Sequence, residues 1–348
     1  VIRAYKYDSL GNVVKELDAL GYEAGQGSSL DEKISSGYGT EYTYNLAGQM
    51  ETTLDPVAKD NGLAYSLRKQ YDGLGRVVSE TNANGVETTY TYDNQGNILR
   101  IAVNGQVIRS MTYDLAGRQT SVTDGNGNTT YYQYNAFNKV SKEILPGDST
   151  IPANTIIYQY DVSGNLAWQQ DSMGRTNICT YDNQNRLLTQ TEQKADGTDS
   201  IQISIKYDKA GNKRFETDGN GTVVETVYDD LNRPVATKVT VGGVPKITSY
   251  SYDANGNLTA VTDWKGNTSS YVYDGINRLI EKKDACDVSF EKLEYNHNNV
   301  QVKAYDAYDN VTYFEYDKNN RLISTTDPEG HTSSQQYDNV GNVVTKTD

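Results

Sequence analysis

Histidine, cysteine and phenylalanine are scarce in this 348-residue chain, which holds two His, two Cys and four Phe, with only two Trp beside them. Nucleophilic triads and imidazole-rich metal centres draw on histidine. Neither His297 nor His331 has a Ser or Cys beside it in a recognisable motif, so no catalytic histidine is expected. Cys179 and Cys286 lie 107 residues apart. At about 4.8 Å per strand, that places them roughly 48 Å apart along a sheet. Only a chain that curls back on itself could bring them within disulfide reach, so two free thiols are expected. Basic residues are also short: 32 Lys and Arg face 46 Asp and Glu, a net charge of −14. That balance argues against nucleic acid, which requires a Lys/Arg footprint, and against anionic membrane surfaces. No apolar run approaches the length of a membrane span, and the first residues carry no signal-peptide pattern. Proline numbers six, and no Pro/Ser-rich linker or charge block divides the chain.

Tyrosine, by contrast, numbers 29. Fifteen of these begin one motif: tyrosine, then Asp or Asn, then Gly or Asn four positions after the tyrosine. The fifteen are Tyr7, Tyr44, Tyr71, Tyr92, Tyr113, Tyr134, Tyr160, Tyr181, Tyr207, Tyr228, Tyr252, Tyr273, Tyr295, Tyr316 and Tyr337, and eight of the fourteen intervals between them are 21 residues. A fixed period of this kind is one supersecondary unit copied along the chain. We therefore read residues 1–348 as a single array of about fifteen units of about 21 residues, a segment of a longer protein.

Gly and Asn share a tolerance of positive φ, so the fourth position after each tyrosine is expected to be left-handed. The Asx side chain three residues earlier can accept a hydrogen bond from the backbone N–H two residues on and close a type I turn. A type I turn followed by a left-handed residue is a three-residue hairpin loop with a bulge. The clearest turn sets are Tyr92, Asp93 and Gly96; Tyr113, Asp114 and Gly117; Tyr160, Asp161 and Gly164; Tyr252, Asp253 and Gly256; and Tyr316, Asp317 and Asn320. These are the site residues expected, in a structural role.

A second turn signal follows each of these, as in Asp124-Gly-Asn-Gly-Asn-Thr and Asp327-Pro-Glu-Gly-His-Thr. Each unit then holds two strands of about six residues, a usual strand length. Six residues after the tyrosine an aliphatic residue recurs, as in Val13, Val77, Leu166, Leu258 and Leu322, which stacks an aliphatic ladder beside the tyrosine ladder. The surplus residues, around 18–40, 55–66, 146–156, 194–203 and 241–246, all fall at or near second turns, so that edge is expected to carry variable loops and partner contacts.

Other chemistry reads weakly. Aspartates suit paired-carboxylate catalysis, yet nearly all open a turn. Asp124-Gly-Asn126-Gly-Asn128 mimics a calcium loop but has Thr129 where glycine is needed and Asn135 where a bidentate acid is needed. Trp168 and Trp264 could stack on sugars, Trp264 from a second turn. No cofactor and no catalytic or metal residue is expected.

The turns resemble the YD-repeat, or RHS-repeat, family. Tyr92-Asp93-Asn-Gln-Gly96-Asn97-Ile98, Tyr160-Asp161-Val-Ser-Gly164-Asn165-Leu166 and Tyr316-Asp317-Lys-Asn-Asn320-Arg321-Leu322 carry the first half of its pattern, and Thr326-Asp327-Pro328-Glu329-Gly330-His331-Thr332 the second. The resemblance implies an all-β fold: repeated antiparallel hairpins in a continuous ribbon that curls into a spiral, shell-like partial barrel. In bacterial RHS and Tc-type toxins such a shell encloses a variable toxin, and in teneurins a related shell serves adhesion. It further implies a secreted or bacterial cell-surface, non-enzymatic protein whose partner is a cargo polypeptide or toxin domain of the same parent. The alternative is an adhesion module binding glycans or cell-surface proteins through its second-turn loops. The family's Asp-Pro-x-Gly-Leu element, linked to self-cleavage, has His331 in place of Leu here, so Asp327–Gly330 is expected to be an ordinary second turn. About thirty strands give roughly 140 Å of sheet contour, or about 45 Å across if closed into one ring.

Overall fold

A computed structural model describes residues 3–147 and 153–348. Thirty β-strands and three short helices are present among them. Residues 148–152 of the surplus loop expected at 146–156 lie outside the described residues. The chain divides into two compact units, one comprising residues 1–108, 273–283 and 288–348, the other residues 109–272 and 284–287.

The second unit is one layer of antiparallel sheet whose described strand pairs are neighbours in sequence. Alternation assigns its two faces. The residue before each motif tyrosine, such as Gln133, Gln159, Thr180 or Ser251, is exposed, while the tyrosine itself is half-buried. Among the unit's described residues, only Met111 and Ile205 are buried apolar side chains. A conventional core is therefore not what holds these strands; ladder hydrogen bonds and the half-buried tyrosine face take its place.

The strand register shows where the ladders fall short. Across a first turn, pairing runs to the turn itself, as from Leu67↔Asn82 to Tyr71↔Val77. Across a second turn it covers only the positions nearest the turn, as Ser79↔Thr89, Glu80↔Thr88 and Thr81↔Glu87. Strands joined by a second turn thus pair beside it and lose their pairing toward the first-turn edge, leaving carbonyls there without ladder partners.

The first unit contains the same hairpins and a cap of helices. Strands β1 (Ala4–Tyr7) and β2 (Val13–Leu17) are followed by helices α1 (Ala19–Glu23) and α2 (Leu30–Ser36), and α3 (Pro56–Asp60) occupies the next surplus segment. These residues were expected to be loops. Their helix signals are local: Asp18 caps α1, Ser29 and Glu32 form a reciprocal capping box on α2, and Asp55 caps α3 with Pro56 in its first turn. Leu17, fully buried, packs with Ala4, Ile34 and Tyr22, a small core beneath the helices. Buried Lys15 donates to the carbonyls of Ser35 (3.0 Å) and Gly37 (2.7 Å), placing its charge at the C-terminal end of α2. Gly37 is required by packing, since a Cβ there would lie 2.4 Å from the Gly21 carbonyl oxygen and 2.5 Å from Leu17.

Candidate functional site

The repeated first turn is the most elaborated feature of the chain, and its geometry is uniform. In the turn after Tyr92, the Gly96 N–H donates to the Asp93 carbonyl (3.2 Å) and the Asp93 N–H to the Asn97 carbonyl (2.9 Å). The strand register shifts at Thr91/Tyr92, which is the bulge. Every left-handed position is occupied as its residue type requires: Gly96, Gly117, Gly164 and Gly256 have φ of 93°, 76°, 85° and 88°, and Asn320 has 60°.

Each Asx side chain makes more bonds than a simple Asx turn needs. Asp93 Oδ1 accepts from the N–H groups of Gln95 (2.8 Å) and Asn97 (2.9 Å), and Oδ2 from Asn97 Nδ2 (2.9 Å). Asp161 and Asp253 repeat this with Asn165 and Asn257, and Asp114 and Asp317 with Arg118 and Arg321. The residue five after the tyrosine is Asn or Arg in twelve of the fifteen units, and this is its role. These bonds hold Asp93, Asp161 and Asp253 below the usual carboxylate range, with the Asn side chain as the leading cause, and Asp114 likewise through Arg118. Carboxylates so committed are poor general bases.

The tyrosine hydroxyls complete the edge. Tyr92 donates to the Val77 carbonyl (2.6 Å), Tyr160 to Val140 (2.8 Å), Tyr252 to Pro234 (2.8 Å) and Tyr295 to Leu279 (2.8 Å). In every case the acceptor is the ladder residue of the preceding unit, a carbonyl at the edge where second-turn pairing has ended. Arginines tie the same units from above the ring: Arg76 lies 4.5 Å from the Tyr92 centroid, Arg186 4.3 Å from Tyr207 and Arg321 4.7 Å from Tyr337. One Arg thus grips its own turn's Asp and the next unit's tyrosine. Burial pushes the phenols of Tyr92, Tyr160, Tyr252 and Tyr316 upward. Sequence reading found the tyrosines and the turns but missed this coupling, although the Asn/Arg recurrence was its visible trace.

The remaining candidates are placed as follows. His331 Nδ1 lies 3.0 Å from Asp327 Oδ2 in a second turn of ordinary geometry, with Gly330 at φ 86°. Asp327, Glu329 and His331 bring one potential metal-ligand atom each within 4.8 Å of one another, on the surface, with both Asp327 oxygens already bonded to His331. Asp124 is consumed by Asn126 and Asn128, like any other turn aspartate. Trp264 is 49% exposed, with Lys246 and Lys265 ammonium groups 4.6 and 5.3 Å from its ring centroid. Cys179 and Cys286 are free thiols. At the second-turn edge, a polar cavity of about 400 Å³ is lined by residues including Asn154, Gln169, Arg175, Asn177, Glu192 and Gln193. No helix of the described residues is long and apolar enough to cross a membrane.

Fold and turn machinery together define a repeat protein built of coupled β-hairpins. The RHS Repeat family model matches residues 71–107, 113–150 and 316–348, and the Teneurin YD-shell model matches residues 148–291. The chain belongs to the YD-repeat, or RHS-repeat, family. Comparison with curated proteins finds no match. Among solved structures, the TcdB2-TccC3-Cdc42 crystal structure is similar over 98% of this chain at 14% identity, with a TM-score of 0.62. The TcdB2-TccC3-TEV structure is similar over 97% at 17% identity, with a TM-score of 0.59. The Photorhabdus luminescens Tc holotoxin pore is similar over 98% at 17% identity, also with a TM-score of 0.59. This chain spans 23%, 20% and 19% of those three chains, and at such identities the likeness establishes the fold.

Proposed function

We propose that this chain is a non-enzymatic segment of a β-shell in a secreted or surface-displayed bacterial protein. It walls off, or presents, a toxin or effector polypeptide of the same parent. The observation that carries this reading is where the polar chemistry goes. Turn carboxylates, tyrosine hydroxyls and arginines are spent on binding one hairpin to the next, so the sequence invests in a wall. A continuous single array over residues 1–348 belongs to the same proposal. Membership in the YD/RHS family and the fold shared with TcdB2-TccC3 support it. Electron microscopy of the full parent polypeptide tests it. Density for a further polypeptide against one face of the ribbon is expected, and bare solvent on both faces would overturn the reading.

A second reading rests on the polar cavity at the second-turn edge, whose Asn, Gln and Arg side chains suit a glycan or a surface protein. Glycan-array binding by the 348-residue chain, lost on substituting Arg175 and Glu192, would favour this adhesion module over the shell.

A further inference from the structure

Within the first unit, residues far apart in sequence meet along one polar seam. Asn298, at the tip of a first turn, accepts from the Leu20 N–H (3.1 Å) and donates to Asp18 Oδ2 (2.6 Å). One unit on, Asn319 Nδ2 donates to Asp55 Oδ1 (2.8 Å). Asp18 and Asp55 are the N-cap residues of α1 and α3, and each also accepts from its own helix, at Gly21 and Ala58. Two contacts flank these, a hydrogen bond between Glu23 and His297 and an ion pair between Asp60 and Lys318, both 2.5 Å. Asn84 adds a bond to Asp338 (3.0 Å). The seam joins positions 254 to 302 residues apart in sequence.

Burial of the tip residue accompanies this contact, since Asn298 and Asn319 are half-buried. At the same turn position elsewhere stand Leu10, Leu74, Phe137 and Leu231, which are 81%, 79%, 84% and 70% exposed. Asparagine stands at 298 and 319, where a helix N-cap waits, as it also does at the exposed tip Asn255. An asparagine amide carries both a donor and an acceptor, so Asn298 can satisfy the Asp18 carboxylate and the unpaired Leu20 N–H together. A leucine could do neither.

The bonds of the seam are polar, and the His297–Glu23 contact is substantially exposed, at 71% and 43% for the two side chains. Contacts of that kind are individually weak. The strands on either side are held by their own ladders, which the seam does not enter. We propose that the seam is a clasp: a joint that opens and recloses while both ribbon segments keep their strand pairing. The inference stands whether or not the ribbon encloses a polypeptide.

Hydrogen exchange on the 348-residue chain tests it, because the Leu20 amide sits in the first turn of α1 and its partner is the Asn298 side chain. In Asn298→Ala with Asn319→Ala, exchange at Leu20, normalised to its intrinsic rate, should rise at least tenfold. Amides of the strands Thr40–Tyr44 and Val311–Tyr316 should change less than twofold. Asn298→Asp sets a second carboxylate against that of Asp18 and should open the clasp further than alanine, with the excess shrinking in molar salt. Unchanged protection at Leu20 in both variants would overturn the proposal. So would strand amides that accelerate together with Leu20, since the seam would then be part of the sheet's own stability.

Discussion

Replacing Tyr92 by Phe separates the two jobs of the repeated tyrosine. The ring stays, with Arg76 still 4.5 Å from its centroid, and only the 2.6 Å bond to the Val77 carbonyl is lost. A neutral hydrogen bond contributes about 1 kcal/mol net, and a half-exposed carbonyl recovers some of that from water, so the expected cost is roughly 0.5–1 kcal/mol. Tyr92→Leu removes the ring as well and with it the cation–π contact, for about 0.5–1 kcal/mol more. A global melt is the wrong assay, because a long repeat array need not unfold in one step. Native-state hydrogen exchange reads the local opening instead. Strands Val77–Asn82 and Glu87–Tyr92 should open about two- to fivefold more often in Tyr92→Phe and roughly tenfold more often in Tyr92→Leu, with distant units unaffected. A cycle pairing Tyr92→Leu with Arg76→Met should show less than additive loss, since either change alone already removes the stacking. Protection equal to that of the unaltered chain in Tyr92→Phe, together with strict additivity in the cycle, would refute the claim that these groups couple units.

Three further outcomes are expected. Gly96 at φ 93° should accept Asn more readily than Ala, because Asn already fills this position at Asn138, Asn185, Asn232, Asn277, Asn299 and Asn320 with φ between 60° and 64°. Alanine should cost about 1–2 kcal/mol in local exchange at that hairpin. Ser29→Ala should loosen α2 by about 1 kcal/mol, seen as faster exchange from Glu32 to Ile34. Stability should plateau in mid-range and fall at both extremes of pH, as followed by far-UV circular dichroism. The turn aspartates are lowered on folding, Asp338 to about 2, so their contribution is complete above the unfolded value of about 4 and is lost as pH falls toward 2. The phenols of Tyr92, Tyr160 and Tyr295 are raised by burial, so their contribution is complete below about pH 10 and is lost as pH rises above it.

What could be read from sequence was whatever the backbone imposes locally. A left-handed turn position accepts few residue types, so Gly96 and Asn320 announced themselves, and a two-residue alternation gave the faces of the strands. The role of Arg76 was hidden because it spans two units: Asp72 lies four residues before it and Tyr92 sixteen residues after it. The helices at 19–23, 30–36 and 56–60 were short enough for their caps to read as turn residues, since Ser, Asp and Pro serve both. The seam was invisible for a different reason. Nothing local to Asn298 distinguishes a turn tip that meets Asp18 from one that meets water, and only the folded chain brings them together.

Limited proteolysis of the full parent polypeptide tests the shell most directly. The account predicts that the non-repeat polypeptide beside this ribbon is cleaved far more slowly within the parent than when expressed alone, and that conditions opening the hairpin array abolish the difference. Equal cleavage rates in the two contexts would contradict it.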